Sequence, residues 1–68
     1  MSEGLANRLR AARGAKGWTQ ADLAERVGVS RKTINTIENG VFIPSTVIAL
    51  KLARAFGRTV EQLFSLVE

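Results

Sequence analysis

Hydroxyl side chains and glycines divide this chain into short segments with helical spacing. A serine or threonine stands directly before each apolar pattern, and these residues recur at intervals of 11 to 17 positions. Such a hydroxyl accepts a hydrogen bond from a free N–H of the first helical turn, and glycine accepts the left-handed backbone that ends a helix. Strand patterns hardly occur, because the apolar string Val41–Ile43 is ended by Pro44. The sequence therefore predicts an all-α domain.

This pattern predicts five short helices in a single compact domain of residues 1–68. A chain of 68 residues has room for one hydrophobic core only. The predicted helices run from a cap at Ser2 to about Lys16, from Thr19 to Gly28, from Ser30 to Asn39, from Ser45 to Gly57 and from Thr59 to about Val67. The predicted core consists of Leu5, Leu9, Trp18, Leu23, Val27, Val29, Ile34, Ile37, Leu52, Phe56, Val60, Leu63 and Phe64.

Two missing residue types exclude several kinds of chemistry. The chain contains no cysteine and no histidine, which excludes disulfides, thiolate metal sites and the usual general base. The six acidic residues are scattered and form no nucleophile–base set, so we expect neither an enzyme nor a cofactor. No apolar stretch approaches the ~20 residues of a membrane span, and the N-terminus does not look like a signal peptide. A cytoplasmic protein is therefore expected.

Positive charge is concentrated in the first half of the chain. The net charge is +4; residues 1–32 hold seven basic and three acidic side chains, whereas residues 33–68 hold three of each. A one-sided excess predicts a polyanionic partner, either nucleic acid or an acidic membrane surface. The membrane is disfavoured, because the basic residues do not lie opposite one wide apolar face.

The second and third predicted helices are separated only by Gly28, Val29 and Ser30. A three-residue link that contains glycine forces a sharp angle between two helices, and Ala24 supplies a small side chain where they would cross. The spacing therefore predicts a helix-turn-helix motif over about residues 19–39.

The segment Gln20–Asn39, QADLAERVGVSRKTINTIEN, resembles the helix-turn-helix of phage-repressor/Cro-like (Xre-type) transcriptional regulators. The flanking strings N-R-L-R-x-x-R, I-E-N-G and K-L-A-R-A-F-G are typical of the same family, so the resemblance covers about residues 5–67. It implies a lambda-repressor-like fold of five helices. It also implies a regulator, acting as a repressor, that binds double-stranded DNA with its third helix in the major groove.

The third helix carries hydrogen-bonding side chains and no acid on the face opposite Ile34 and Ile37. Base edges in the major groove offer partners for such side chains: arginine and lysine suit guanine, and asparagine suits adenine. A merely solvated polar face is the alternative. The resemblance and this chemistry together predict base contacts by Ser30, Arg31, Lys32, Asn35 and Thr36.

Contacts to DNA phosphates are expected at both ends of the motif. Gln20 opens the second helix, where free N–H groups attract anions, and the resemblance implies that Gln20 and Asn39 each bind a phosphate. Further phosphate contacts are predicted for Thr19, Ser45 and Arg10. A capping role alone is the alternative for the threonine. The loop Val41–Ile43 is apolar where relatives are often basic, which predicts one phosphate contact fewer and a weaker salt dependence.

Arg13 and Glu38 lie on the flanks of the apolar stripes of the first and third helices. The resemblance implies an ion pair that joins these helices and orients the third one, with little net effect on stability. Two separate surface charges are the alternative, and they would contribute little.

The chain has more apolar side chains than one small core needs. The resemblance implies a homodimer on an inverted repeat, with half-sites about 34 Å apart. The predicted dimer interface consists of Val47, Leu50, Leu63, Leu66 and Val67. Scattered exposed apolar residues are one alternative. Another is a protein-interaction module of the same fold, such as the antitoxin of a toxin pair. Nothing indicates a small-molecule ligand.

Overall fold

Four hydroxyl caps position the helices of the computed structural model, which describes residues 4–67. The side-chain oxygens of Thr19, Ser30, Ser45 and Thr59 each accept the N–H three residues further on, a contact that stabilises a helix by about 1 kcal/mol. The helices are α1 (Leu9–Lys16), α2 (Gln20–Val27), α3 (Arg31–Glu38), α4 (Thr46–Phe56) and α5 (Val60–Leu63). Within residues 4–67, no helix is long and apolar enough to cross a bilayer.

The first helix begins later than the sequence predicts. The predicted cap, Ser2, lies outside the described residues, and α1 starts at Leu9. Asn7 determines this start, because its Oδ1 accepts the N–H of Leu9 at 3.2 Å. Its Nδ2 also donates to the carbonyl of Ile37 at 3.0 Å, which ties the beginning of α1 to the end of α3.

The two ends of the described chain form a small sheet, so the all-α prediction is only roughly right. Strand β1 (Gly4–Asn7) pairs antiparallel with β2 (Phe64–Val67), with Gly4 opposite Val67 and Asn7 opposite Phe64. The segment 4–7 contains glycine and asparagine, both poor helix formers, and it obtains its hydrogen bonds from the other end of the chain. The fifth helix is correspondingly short.

All five helices contribute to the hydrophobic core. The side chains that are fully buried are Leu9, Leu23, Ile34, Ile37, Leu52 and Leu63. Trp18 is only partly buried and packs on Phe56, with ring centroids 5.4 Å apart. Leu63 offers no surface to a second copy of the chain, which corrects its predicted place in a dimer interface. Leu63 is the last residue of α5, and its side chain is buried in the core.

Candidate nucleic-acid interface

The turn between α2 and α3 depends on a left-handed glycine. Gly28 has a φ of 73°, and its N–H donates to carbonyls of the last turn of α2. A residue with a side chain would be strained there, although its Cβ would meet no atom within 4 Å. The N–H of Val29 then donates to the carbonyl of Ala24 at 3.0 Å, and Ser30 caps α3. This turn fixes the angle at which α3 leaves α2.

The outer face of α3 is polar and free of exposed acid. Arg31, Lys32 and Asn35 are exposed, whereas Thr36 is half-buried and its hydroxyl donates to the carbonyl of Thr33 at 2.9 Å. The opposite face holds the buried Ile34 and Ile37. The packing of this apolar face therefore presents the hydrogen-bonding side chains to solvent.

Three predicted DNA contacts are also helix caps. Thr19 Oγ1 accepts the N–H of Asp22 at 3.0 Å, and Ser45 Oγ accepts that of Ile48 at 3.2 Å. Ser30 Oγ accepts the N–H of Thr33 at 3.1 Å and also contacts its hydroxyl. All three caps are exposed. They lie at the N-termini of α2, α3 and α4, where free N–H groups and the helix dipole favour anions.

A buried carboxylate joins the first three helices. Glu38 accepts a two-point contact from Arg13: Arg13 Nε lies 2.7 Å from Oε2 and Nη2 lies 3.1 Å from Oε1. The Glu38 side chain is inaccessible to solvent, whereas that of Arg13 retains 16% of its exposure. Arg13 Nη1 also donates to the carbonyl of Trp18 at 3.0 Å, directly before α2. One arginine side chain therefore fixes both helices of the motif relative to α1.

Amide side chains extend this network to the surface. Gln20 Nε2 donates to Glu38 Oε1 and to Asn35 Oδ1, both at 3.1 Å. Asn39 Nδ2 also donates to Asn35 Oδ1, at 3.2 Å, and Arg10 Nη2 donates to Asn39 Oδ1 at 3.2 Å. The structure thus brings Gln20, Asn39 and Arg10, three of the predicted phosphate contacts, to the edge of α3.

The network favours the ionised form of Glu38. Burial raises the pKa of Glu38, but the hydrogen bonds from Arg13 and Gln20 and the charges of Arg13 and Arg10 outweigh burial, so the pKa lies below its ordinary value. A carboxylate with a lowered folded-state pKa stabilises the fold at pH values above its unfolded-state pKa. That stability is lost as the pH falls through the lowered value.

We therefore expect the free energy of unfolding to decline below about pH 4.5, where glutamate carboxylates begin to take up protons. Glu38→Gln should flatten this decline, because one of the carboxylates whose lowered pKa links stability to pH is gone. Urea denaturation at a series of pH values measures the slope. Glu25→Gln, at an exposed position, is the matched control. An equal flattening in both variants would contradict the assignment.

Two further contacts, outside this network, were not predicted from the sequence. One is the hydrogen bond from Asn7 to the end of α3, for which a polar residue just before an apolar pattern was the only signal. The other is the stack of Arg26 on Trp18, with the guanidinium carbon 4.1 Å from the ring centroid. This stack covers the indole beside the start of α2, and cation–π pairs of this kind add to helix packing.

Several large apolar side chains remain exposed. Val47 and Leu50 on α4 are 61% and 56% exposed, and Leu66 and Val67 on β2 are 70% and 53% exposed. The loop Val41–Ile43 is also exposed and lies next to α3, because the N–H groups of its first two residues donate to a carbonyl of α3. These exposed side chains on α4, on β2 and in the loop are candidates for contacts with another molecule.

Comparisons with known proteins agree with this geometry. A helix-turn-helix family model matches residues 9–63. The Bacillus subtilis protein YgzD, an uncharacterized HTH-type transcriptional regulator, is 39% identical over 64 residues, which are 94% of this chain and 97% of YgzD. The crystal structure of the restriction-modification controller protein C.AhdI from Aeromonas hydrophila has a TM-score of 0.76 and is 38% identical, and the match covers 81% of this chain and 83% of C.AhdI.

A shorter match involves a different class of protein. The Escherichia coli antitoxin HipB is 43% identical over 35 residues, which are 52% of this chain and 40% of HipB. The family model and the longer matches confirm the resemblance seen in the sequence. This chain belongs to the helix-turn-helix family of Cro/C1-type transcriptional regulators, which are DNA-binding proteins and not enzymes.

Proposed function

We propose that this protein is a sequence-specific repressor that binds a DNA duplex as a homodimer, with α3 in the major groove. The observation that carries the proposal is the outer face of α3. Its exposed side chains are donors and amides, and its one acid, Glu38, is folded inward against Arg13. A polyanion therefore meets no negative charge on this face, and base edges meet hydrogen-bonding groups.

The proposed contacts fall into two groups. The base-reading group consists of Ser30, Arg31, Lys32, Asn35 and Thr36, at the N-terminus and on the outer face of α3. The phosphate-binding group consists of Thr19, Gln20, Asn39, Ser45 and Arg10, at helix ends on either side. Both side-chain hydrogens of Gln20 are used by Glu38 and Asn35, so Gln20 would offer its backbone N–H at the start of α2. Phosphate contacts position the motif on the duplex, and base contacts select the sequence.

Dimerisation would bring two α3 helices to successive turns of the groove. The exposed apolar residues Val47, Leu50, Leu66 and Val67 support a contact between copies through α4 and β2. The operator would then be a short inverted repeat with half-sites about 34 Å apart. Occupancy of such an operator at a promoter would exclude the polymerase.

Lys32→Ala tests the base-reading role. We expect preference at one base pair of each half-site to fall roughly tenfold, since a good base contact contributes about 1 to 3 kcal/mol of discrimination. Binding to a panel of single-base operator variants measures the change. Lys51→Ala removes the same charge from an exposed position on α4 and should leave every preference unchanged. Uniform weakening by Lys32→Ala would mean that Lys32 binds a phosphate.

Selection of random-sequence duplexes by the purified protein tests the proposal as a whole. A short inverted repeat should be enriched, and its symmetry would report the dimer together with the half-site. Enrichment of no sequence at low salt by the folded protein would contradict the proposal.

A protein-interaction module is the second candidate function, and two observations favour it. The loop Val41–Ile43 exposes three large apolar side chains, and part of the chain is similar to an antitoxin. Such a module would form a stable complex with another protein and bind DNA weakly. A selection without enrichment, from protein that is folded by circular dichroism, would favour this candidate.

A further inference from the structure

We infer that Asn35 presents only hydrogen-bond donors to DNA and therefore selects guanine rather than adenine. The inference rests on the proposed function, since it concerns the base that this residue reads. Asparagine normally recognises adenine with two groups at once: its carbonyl oxygen accepts from N6 and its amide nitrogen donates to N7. That pairing requires a free acceptor on Asn35.

Glu38 determines which way the side-chain amide of Gln20 points. A carboxylate only accepts, so the atom of Gln20 that lies 3.1 Å from Glu38 Oε1 is the amide nitrogen. The same nitrogen lies 3.1 Å from the side chain of Asn35. The atom of Asn35 that it meets must be an acceptor, which is Oδ1.

Arg10 determines which way the side-chain amide of Asn39 points. A guanidinium only donates, so the atom of Asn39 that lies 3.2 Å from Arg10 Nη2 is the amide oxygen. The nitrogen of Asn39 is then the atom that lies 3.2 Å from Asn35 Oδ1. Two groups of fixed charge, a buried carboxylate and an arginine, therefore impose the same orientation on Asn35 from opposite sides.

The hydrogen bonds from Gln20 and Asn39 leave the side-chain oxygen of Asn35 unable to accept another. An amide oxygen has two lone pairs, and Gln20 and Asn39 take both. Within residues 4–67, no hydrogen bond engages Nδ2 of Asn35, and the residue is exposed. Guanine offers two acceptors, O6 and N7, to such a donor, whereas adenine places a donor beside its single acceptor. The geometry favours guanine at the base pair that Asn35 faces.

Random-sequence selection with wild type, Asn35→Ala and Asn39→Ala tests this assignment. The base pair that Asn35 contacts is identified as the operator position at which Asn35→Ala no longer selects one base over the others. Wild type should select guanine over adenine there by roughly tenfold. Asn39→Ala returns one lone pair to Asn35, so adenine becomes an equally good partner and the preference should fall to about threefold or less. Lys51→Ala is the matched control, because it removes a charge from an exposed position on α4, outside the proposed interface, and should leave this preference unchanged.

The readout is a ratio of base frequencies at one position, so a general loss of affinity does not mimic it. Selection of adenine by wild type at this pair would overturn the inference and leave the proposed function standing. The inference would also be overturned if Asn35→Ala kept its base selectivity at every operator position. It would likewise be overturned if Asn39→Ala kept the full preference for guanine over adenine. Failure of wild type to enrich any sequence would overturn the proposed function, and the inference with it.

Discussion

Replacing Arg13 with alanine is expected to lower the free energy of unfolding by about 3 kcal/mol, at the lower end of values for a broken buried pair. The variant leaves the solvent-inaccessible carboxylate of Glu38 without its two-point partner, and it removes the hydrogen bond to the carbonyl of Trp18. A 68-residue domain has a total stability of only about 3 to 10 kcal/mol, so a large share would be lost. Urea denaturation followed by circular dichroism measures the difference.

The double variant Arg13→Ala/Glu38→Gln separates loss of packing from the cost of an unpaired charge. A neutral glutamine needs no counter-ion, so we expect the double variant to recover part of the stability lost in Arg13→Ala. At a temperature where Arg13→Ala is folded, DNA binding should weaken equally for all sequences, because α3 loses its orientation and no base contact is removed. Unchanged stability and binding in Arg13→Ala would contradict the role given to this pair.

The substitution Leu50→Glu is expected to reduce operator affinity about 100-fold or more. Leu50 is 56% exposed on α4, so the fold should tolerate the change, but a charge at the proposed contact between copies would prevent association. A monomer must bind each half-site independently, which forfeits the effective concentration that linked binding provides. Sedimentation of the free protein and gel-shift titration on the selected inverted repeat measure the two effects.

Ala15→Glu is the matched control for Leu50→Glu. It makes the same change in net charge at an exposed position on α1, outside the proposed dimer surface. It should sediment as wild type and bind within a few-fold of wild type. Wild-type protein that sediments only at the monomer mass of 7.4 kDa at tens of micromolar concentration would count against the dimer. So would equal operator affinities for Leu50→Glu and Ala15→Glu.

Local signals predicted the helices around the motif because their determinants are local. A hydroxyl cap and a terminal glycine act within one helical turn, and α2 ends at Gly28 and α4 at Gly57 with left-handed backbones, as predicted. The strands were missed because β1 pairs with residues about 60 positions away in the chain. A four-residue segment has too little alternation to reveal such a partner from its own sequence.

The chemistry of the candidate interface follows from residue types and helical phase, but its hydrogen bonds do not. The sequence places Asn35 on the outer face of α3 and suggests adenine as its partner. The orientation of its amide depends on Gln20 from α2 and Asn39 from the end of α3, and on the groups that orient those two side chains. Such a network is visible only once several helices are packed together.

The proposal that the outer face of α3 binds duplex DNA is tested most directly by nuclear magnetic resonance. Uniformly 15N-labelled protein is titrated at low salt with the selected duplex, and changes in backbone amide shifts are mapped onto the structure. We expect the largest changes at residues 30–36 and at the start of α2, and small changes in β1. Changes confined to the β1–β2 sheet and the loop Val41–Ile43, or no changes at all, would contradict the account.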